Sequence, residues 1–126
     1  MAHITRVMVV DDYAAIRKIV RSLFESQGYE VVDAENGAEA VQMAPGFSPD
    51  LIVLDLSMPI MNGLEAAKKL TSLLPAVPLI MFTNHSGRVI EQEAHAAGFS
   101  AIVSKTDSAE LLIAQATQLL GKRKCA

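Results

Sequence analysis

Five short runs of apolar and β-branched residues recur along the chain, and they predict five β-strands. Three of these runs are apolar almost throughout, as strands are when helices cover both faces of a sheet. The run YEVV is more polar and is typical of a strand at a sheet edge. The predicted strands span residues 6–10, 29–32, 51–55, 78–82 and 100–103.

Each predicted strand is followed by a segment with the apolar spacing or the boundary residues of a helix. In the first segment the apolar positions at helical spacing are Ile16, Ile19, Val20, Leu23 and Phe24. Polar residues that favour helix N-termini precede the other segments. These capping candidates are Asn36 with Glu39, Asn62 with Glu65, Ser86, and Asp107 with Glu110. Gly98 and Gly121 predict the ends of the last two helices.

This alternation of strands and helices indicates repeated βαβ units, which form a parallel sheet with helices on both faces. We therefore predict an α/β fold, a flavodoxin-like (βα)5 three-layer sandwich whose sheet has the strand order 2-1-3-4-5. Residues 1–121 are predicted to form one domain, and residues 122–126 a basic tail or a truncated linker.

The composition of the 126 residues excludes several classes of protein. With 51% hydrophobic and 20% charged residues the chain can build a core, and its net charge of −3 argues against direct nucleic-acid binding. No apolar run approaches the roughly 18 residues of a membrane span. The only cysteine, Cys125, excludes an internal disulfide and is typical of a reducing compartment. We expect a cytoplasmic protein without membrane contact.

Polar side chains stand where four of the predicted strands end. In an open parallel sheet the carboxyl ends of the strands lie at one edge, and ligands bind there at the switch in strand order. The side chains brought to this edge are Asp11, Asp12, Asp55, Thr83, Ser104 and Lys105. Each of them alone also suits an ordinary helix cap or a surface charge. Their coincidence at one edge favours a shared site.

Three converging carboxylates repel one another and require a cation. Carboxylate oxygens suit Mg²⁺, which prefers phosphate as a further ligand. Lys105 adds a positive charge and Thr83 a hydroxyl donor. This set of groups indicates phosphoryl transfer, in which an aspartate can act as the nucleophile and form an acyl phosphate.

The ordered motifs resemble the receiver (CheY-like) domains of bacterial two-component response regulators over essentially the whole chain. The resemblance rests on VVDD (9–12), LDLSMPIMNG (54–63), the threonine of MFTN (81–84) and the lysine of VSKT (103–106). The segment AGFSAIVSKTDSAELL is also similar to receivers of the LuxR-like helix-turn-helix subfamily, which carry a DNA-binding domain after a linker.

The resemblance implies a role for each site residue. Asp55 is expected to be the phosphoacceptor, and Thr83 and Lys105 to contact the phosphoryl group. The expected Mg²⁺ ligands are Asp11, Asp12, Asp55 and the backbone carbonyl of Ser57. The implied donor is a sensor histidine kinase or a phosphotransfer protein. The implied partner is a downstream effector, or an output domain absent from this chain, and the domain is expected to be a monomer or a weak homodimer.

The sequence departs from the family pattern around the lysine and the threonine. Thr106 stands where proline usually follows the lysine, so the geometry of that peptide bond is open. Ile102 replaces the aromatic residue that reports activation in this family, and Asn84 replaces a small residue. Together with His85 these two residues are possible modulators. Arg17, on the first predicted helix, is interpreted as a kinase contact or a solvated charge.

Three functions remain open at this point. The first is a phosphorylation-driven switch that changes the surface of the fourth helix, fifth strand and fifth helix, with self-phosphotransfer and autodephosphorylation as its only catalysis. The second is a non-phosphorylated adaptor, motivated by Asn84, Ile102 and Thr106. The third is an aspartate-nucleophile phosphatase, which Ser57 disfavours because those enzymes carry a second acid two residues after the nucleophile. We expect the first function, and we therefore do not expect this domain to be an enzyme.

Overall fold

The computed structural model describes residues 4–84 and 87–125, the last four as backbone only. Within these residues five strands alternate with five helices along the chain. The elements are β1 (Arg6–Val10), α1 (Ala14–Glu25), β2 (Glu30–Ala34), α2 (Gly37–Phe47), β3 (Leu51–Leu54), α3 (Gly63–Leu73), β4 (Leu79–Thr83), α4 (Arg88–Ala97), β5 (Ala101–Ser104) and α5 (Ala109–Cys125).

The five strands form one parallel sheet with the order β2-β1-β3-β4-β5. This order confirms the predicted flavodoxin-like topology. It places β1 and β3, the two strands that are followed by aspartates, side by side in the sheet. The switch in strand order therefore lies between them, which is where open α/β sheets bind ligands.

Alternate residues of the central strands face opposite sides of the sheet and build two separate cores. Met8 and Val10 of β1 face a core that contains the buried alanines and leucine of α2, α3 and α4. Val7 and Val9 face a second core, which α1 and α5 complete with residues such as Phe24. The aliphatic, two-sided burial explains why the β1 and β3 sequences are apolar throughout.

The boundaries of β1 are those predicted, and those of the other four strands differ from the predicted ones by one or two residues. β2 continues to Ala34 because Asp33 and Ala34 pair in register with Val9 and Val10 of β1. β3 ends at Leu54, so Asp55 lies just beyond the strand. The last two strands begin and end one residue later than predicted.

The helix boundaries confirm three of the predicted capping residues. The side-chain oxygens of Asn36 and Asn62 accept hydrogen bonds from the backbone N–H groups of Glu39 and Glu65, at 2.9 and 3.0 Å. Gly98 ends α4 in the left-handed conformation, with φ of 108°. Ser86, the predicted cap of α4, lies outside the described residues, and Gly87 is the residue that precedes this helix.

The predicted start and end of α5 were both wrong. Ser108 rather than Asp107 caps the helix, because its hydroxyl accepts from the N–H of Leu111 at 3.3 Å, while Asp107 bonds back to Ser104. The helix does not end at Gly121 but continues to Cys125, through the segment predicted to be a tail. A single helical glycine costs only about 1 kcal/mol, and the buried Leu120 anchors the turn before it.

None of the described helices is long and apolar enough to cross a lipid bilayer.

Candidate functional site

Three aspartates meet at the carboxyl edge of the central strands. One carboxylate oxygen from each of Asp11, Asp12 and Asp55 lies within 4.8 Å of the other two. Asp11 and Asp55 are buried, with 3% and 6% of their surface exposed, whereas Asp12 is exposed. The cluster is therefore closed on the protein side and open to solvent on the Asp12 side.

The sheet itself fixes the two buried aspartates. The backbone N–H of Asp11 donates to the carbonyl of Ala34 at the end of β2, at 3.2 Å. The N–H of Asp55 donates to the carbonyl of Val10 at the end of β1, at 3.0 Å. The ladder thus continues one residue beyond each strand, and both carboxylates leave the sheet from a rigid backbone.

Lys105 supplies the cation for these carboxylates. Its ammonium lies 2.8 Å from Oδ2 of Asp11 and 3.2 Å from Oδ2 of Asp55. The lysine side chain is only 12% exposed, so these ion pairs are shielded from water. The backbone N–H of Lys105 donates to the carbonyl of Thr83 at 2.9 Å, which ties the end of β5 to the end of β4.

The electrostatics of the cluster shift two pKa values upward. Burial raises the pKa of Asp55 above its ordinary value of 3.8; Lys105 opposes this shift and the neighbouring Asp11 adds to it. Burial alone would lower the pKa of Lys105, but its bonds to Asp11 and Asp55 outweigh that effect and raise it. Burial therefore disfavours the ionised form of Asp55, and Lys105 offsets this effect only in part.

The loop between β3 and α3 wraps closely around Asp55. Oδ1 of Asp55 accepts a hydrogen bond from the N–H of Leu56 at 2.8 Å, and the carbonyl of Leu56 accepts from the N–H of Gly63 at the same distance. A Cβ atom on Gly63 would lie 2.2 Å from the backbone oxygen of Asp55. The glycine of the LDLSMPIMNG motif is therefore required by the close approach of the two backbones.

The same loop contains a strained residue that the sequence did not reveal. Ile60 has a φ of 72° and is 82% exposed, and the N–H of Met61 donates to the carbonyl of Pro59 across it at 2.7 Å. This is a γ-turn centred on a β-branched residue, which is unfavourable in the left-handed region. The turn closes the loop beside the aspartates.

A cleft of about 610 Å³ opens next to the cluster. It is lined by Asp12, Leu56, Ser57, Met58, Pro59 and Asn62. Ser57, predicted to offer its carbonyl to a metal, thus lies in the wall of a cleft that reaches Asp12. Met58 also packs against the core beneath it.

This arrangement fits a small, hard divalent cation. The donor atoms are carboxylate oxygens, two of them on the buried residues Asp11 and Asp55. The open side at Asp12 leaves room for water or phosphate oxygens, which Mg²⁺ retains in most protein sites. The residues present therefore match the predicted metal.

The comparison with known proteins supplies the family. The family described as response regulator receiver domain matches residues 7–117. The chain belongs to this family. A Bacillus subtilis chemotaxis protein CheY is 33% identical over 114 residues, which cover 90% of this receiver domain and 93% of that protein.

Two solved structures extend the comparison. CheY4 of Vibrio cholerae superposes with a TM-score of 0.88 at 30% identity, and the match covers 93% of this receiver domain and 99% of that chain. A two-component response regulator of the LuxR family from Aurantimonas sp. gives a TM-score of 0.85 at 34% identity, covering 94% and 87%. This neighbour supports the predicted similarity to LuxR-like receivers.

Several relatives are longer than this receiver domain. A Pseudomonas aeruginosa protein whose name assigns it to transcriptional regulation is 40% identical over 93% of the chain, which spans 58% of that protein. The transcriptional regulatory protein PdtaR of Mycobacterium tuberculosis is 36% identical, and the match covers 86% of this chain and 53% of the relative.

Thr83 and two of the possible modulators, Asn84 and Ile102, lie on β4 and β5 or next to them. Thr83 is fully buried at the end of β4, and Asn84, the next residue, is exposed. Ile102 pairs in register with Met81 and packs, half-buried, against the core on the α4 side. His85 lies outside the described residues. The structure thus places an aliphatic contact where most receivers carry an aromatic ring.

A hydroxyl-rich turn stands in place of the proline that usually follows the lysine. The hydroxyl of Ser104 accepts from the N–H of Thr106 at 3.2 Å and lies 2.7 Å from the Thr106 hydroxyl. The carboxylate of Asp107 accepts from the N–H of Ser104 at 3.3 Å. The described peptide bonds are all trans, including that between Lys105 and Thr106.

The interpretation of Arg17 as a solvated charge was wrong. Its side chain is 14% exposed and donates from Nε to Oδ2 of Asp33 at 3.1 Å and from NH1 to the carbonyl of Asp11 at 2.8 Å. The sequence could not show this contact, because Asp33 stands in β2, beyond the end predicted for that strand.

Proposed function

We propose that this receiver domain accepts a phosphoryl group on Asp55 from a phosphohistidine of a sensor histidine kinase or a phosphotransfer protein, in a reaction that requires Mg²⁺. The observation that carries the proposal is the buried Asp55 carboxylate, set between Asp11, Asp12 and the Lys105 ammonium. A carboxylate in these surroundings has a nucleophilic oxygen beside the Lys105 ammonium, and the two further aspartates would hold a metal ion next to it.

Asp11, Asp12, Asp55 and the backbone carbonyl of Ser57 would hold the metal. If bound there, Mg²⁺ would supply positive charge for the phosphoryl oxygens, so that the anionic carboxylate of Asp55 could approach them. Lys105, which pairs with the free Asp55 carboxylate at 3.2 Å, would take a phosphoryl oxygen as its partner after the transfer. The side chain of Thr83 adds a hydroxyl donor when the loop after β4 moves toward the site.

The transfer exchanges one bond for another. A carboxylate oxygen of Asp55 forms a bond to phosphorus as the N–P bond of the phosphohistidine breaks, and the bonding electrons return to the imidazole nitrogen. The product is an acyl phosphate, which water can later hydrolyse to regenerate the carboxylate. We propose no catalysis by this domain beyond this self-phosphotransfer and autodephosphorylation.

The response to phosphorylation travels from the site to the surface formed by α4, β5 and α5. Two features support this route: the N–H of Lys105 bonds to the carbonyl of Thr83, and Ile102 pairs with Met81 on the neighbouring strand. Movement of the β4 end therefore bears directly on β5. Ile102, with Asn84 and His85 as modulators, sets how far this movement spreads.

The partners follow from the family and from the longer relatives. We propose a sensor histidine kinase or a phosphotransfer protein upstream. Downstream we propose an effector or a separate output domain, and transcription regulation is one of its outputs. Residues 1–121 form the receiver domain and residues 122–126 its basic extension. We place the domain in the cytoplasm, as a monomer or a weak homodimer that does not itself bind nucleic acid.

A beryllofluoride titration tests the proposal. Beryllofluoride mimics a phosphoryl group on a carboxylate, so with Mg²⁺ it should shift the backbone amide resonances of Asp55, Thr83 and Lys105 in the wild type. Asp55→Asn should show no such shifts. Shifts that need neither Asp55 nor Mg²⁺ would contradict the proposal. No response at all, with a partner bound equally well by Asp55→Ala and wild type, would establish the adaptor function instead.

A further inference from the structure

Arg17 joins three elements at the edge of the sheet. From α1 its guanidinium reaches the carboxylate of Asp33 on β2 and the backbone carbonyl of Asp11, the residue that follows β1. We propose that Arg17 is a positioning residue for the metal site, which holds the backbone of Asp11 so that its carboxylate faces Asp55. The inference rests on the proposed Mg²⁺-dependent function of the site.

All the polar groups of Asp11 have partners, and Arg17 provides the one for the carbonyl. The N–H of Asp11 donates to Ala34, Oδ1 accepts from the N–H of Tyr13 at 2.9 Å, and Oδ2 pairs with Lys105. The carbonyl accepts from Arg17 at 2.8 Å. Hydrogen bonds and an ion pair thus hold both the backbone and the side chain of Asp11. Removal of Arg17 leaves the Asp11 carbonyl without the partner that α1 provides.

The guanidinium is itself held in one orientation. Asp33 accepts Nε of Arg17 on Oδ2 and NH1 of Arg21 on Oδ1, each at 3.1 Å. Because the guanidinium is planar, the bond from Nε to Asp33 also fixes the direction in which NH1 points at Asp11. Arg17 can therefore orient the Asp11 carbonyl in a way that a flexible ammonium cannot.

Arg21 offers a matched control. It is one helical turn further along α1, carries the same charge and bonds to the same carboxylate, and its described partners are Asp33 and Glu25 rather than Asp11. Removing either arginine lowers the positive charge of this region equally. Only the removal of Arg17 breaks the contact with Asp11.

A positioning role and a purely electrostatic role of Arg17 predict opposite changes in Mg²⁺ affinity when Arg17 is removed. If Arg17 acted only through its charge, its loss would strengthen Mg²⁺ binding, since like charges repel. If it positions Asp11, its loss weakens Mg²⁺ binding, by about tenfold, as the loss of a residue that orients a metal ligand typically does. The sign of the change therefore separates the two roles.

The experiment is a Mg²⁺ titration of wild type, Arg17→Met, Arg17→Lys and Arg21→Met, followed by the amide resonances of Asp11 and Asp12. We expect binding about tenfold weaker in Arg17→Met, an intermediate affinity in Arg17→Lys, and unchanged or tighter binding in Arg21→Met. The titration reports on folded molecules only, so a loss of stability does not imitate the effect. If Arg17→Met fails to fold, the Mg²⁺ affinity of Arg17→Lys tests the inference, because this variant keeps the positive charge and loses the planar guanidinium.

Two results overturn the inference in distinguishable ways. Wild-type affinity or tighter binding in both Arg17 variants would remove the positioning role and leave the proposed function intact. An equal weakening in Arg17→Met and Arg21→Met would also overturn it, since Arg21 has no described contact with Asp11. Absence of Mg²⁺ binding in the wild type would overturn the inference together with the proposed function.

Discussion

Nζ of Lys105 lies 2.8 Å from Oδ2 of Asp11, so the fold itself supplies a cation to a carboxylate that we propose as a metal ligand. The lysine pairs with Asp55 as well, at 3.2 Å. A divalent cation and Lys105 therefore compete for the same oxygens. This relationship links the stability of the domain to the occupancy of the site.

Replacing Lys105 by Met should destabilise the domain strongly when divalent cations are absent. Asp11 and Asp55 would then be buried beside each other without a cation, and removing one partner of a buried ion pair costs about 3 kcal/mol. Mg²⁺ should bind this variant more tightly than wild type and recover part of the loss. Urea unfolding with and without Mg²⁺ measures both effects.

The exposed Lys69 on α3 provides the control for this variant. Lys69→Met should leave the stability within about 0.5 kcal/mol of wild type and the response to Mg²⁺ unchanged. A Lys105→Met protein as stable as Lys69→Met without Mg²⁺ would show that the buried aspartates need no cation.

Asp55→Asn should stabilise the domain at neutral pH when Mg²⁺ is absent. Burial raises the pKa of Asp55, so the folded state binds this proton more tightly than the unfolded chain does. The stability from this group is complete below the unfolded pKa and is lost as the pH rises through the folded pKa. The ionised carboxylate thus lowers stability at neutral pH, and asparagine removes that cost.

The pH dependence makes this prediction specific. The advantage of Asp55→Asn over wild type should shrink as the pH falls through the raised pKa of Asp55, because the wild-type carboxyl then becomes neutral as well. Thermal unfolding across this pH range measures it. A wild type that is more stable than the variant at neutral pH and loses that advantage in acid would mean that the pKa is lowered instead.

Gly63→Ala should destabilise the domain by about 3 kcal/mol, because the new methyl group meets the backbone of Asp55 and Leu56, which cannot rotate away as a side chain can. Its Cβ would lie 2.2 Å from the oxygen of Asp55 and 2.9 Å from Cα of Leu56. Since the displaced backbone carries Asp55, Mg²⁺ binding should weaken too. Urea unfolding and a Mg²⁺ titration give the two readouts.

Gly46 is the matched position for this change. It lies in α2 with no atom within 4 Å of a Cβ, so Gly46→Ala should raise stability by about 0.5 kcal/mol through helix propensity. If both glycine variants were equally stable, the close approach between Gly63 and Asp55 would have no effect on the free energy of unfolding.

Ile60→Asn should stabilise the domain by about 1 kcal/mol. Asparagine tolerates the left-handed conformation far better than a β-branched residue does, and Ile60 loses little burial because it is 82% exposed. Ile19→Asn is the control, since Ile19 is 61% exposed in the regular helix α1 and should gain nothing. Thermal unfolding compares the two variants, and an equal response would show that Ile60 is not strained.

The sequence was sufficient to predict the sheet order and the meeting of Asp11, Asp12 and Asp55. Both follow from the alternation of elements and from the position of each aspartate at a strand end. The parallel topology then brings these strand ends to one edge of the sheet. The pairing of Lys105 with two carboxylates also follows in outline, because Lys105 directly follows β5 at the same edge of the sheet.

The remaining features depend on contacts that local patterns do not encode. Arg17 reads as an exposed helical charge until Asp33 is placed opposite it by the β1–β2 register. The γ-turn at Ile60 contradicts the preference of isoleucine and is imposed by loop closure. Gly121 carries a stop signal that the packing of Leu120 overrides. In each case tertiary structure outweighs local preference.

The most direct test of the central claim is to locate the phosphoryl group by chemistry. Wild type would be incubated with Mg²⁺ and a small acyl phosphate or phosphohistidine donor. It would then be reduced with borohydride, which converts an aspartyl phosphate to homoserine, and sequenced by mass spectrometry. We predict homoserine at position 55 only, and none in Asp55→Asn or without Mg²⁺. Modification at another residue, or none in a folded protein that binds Mg²⁺, would contradict the account.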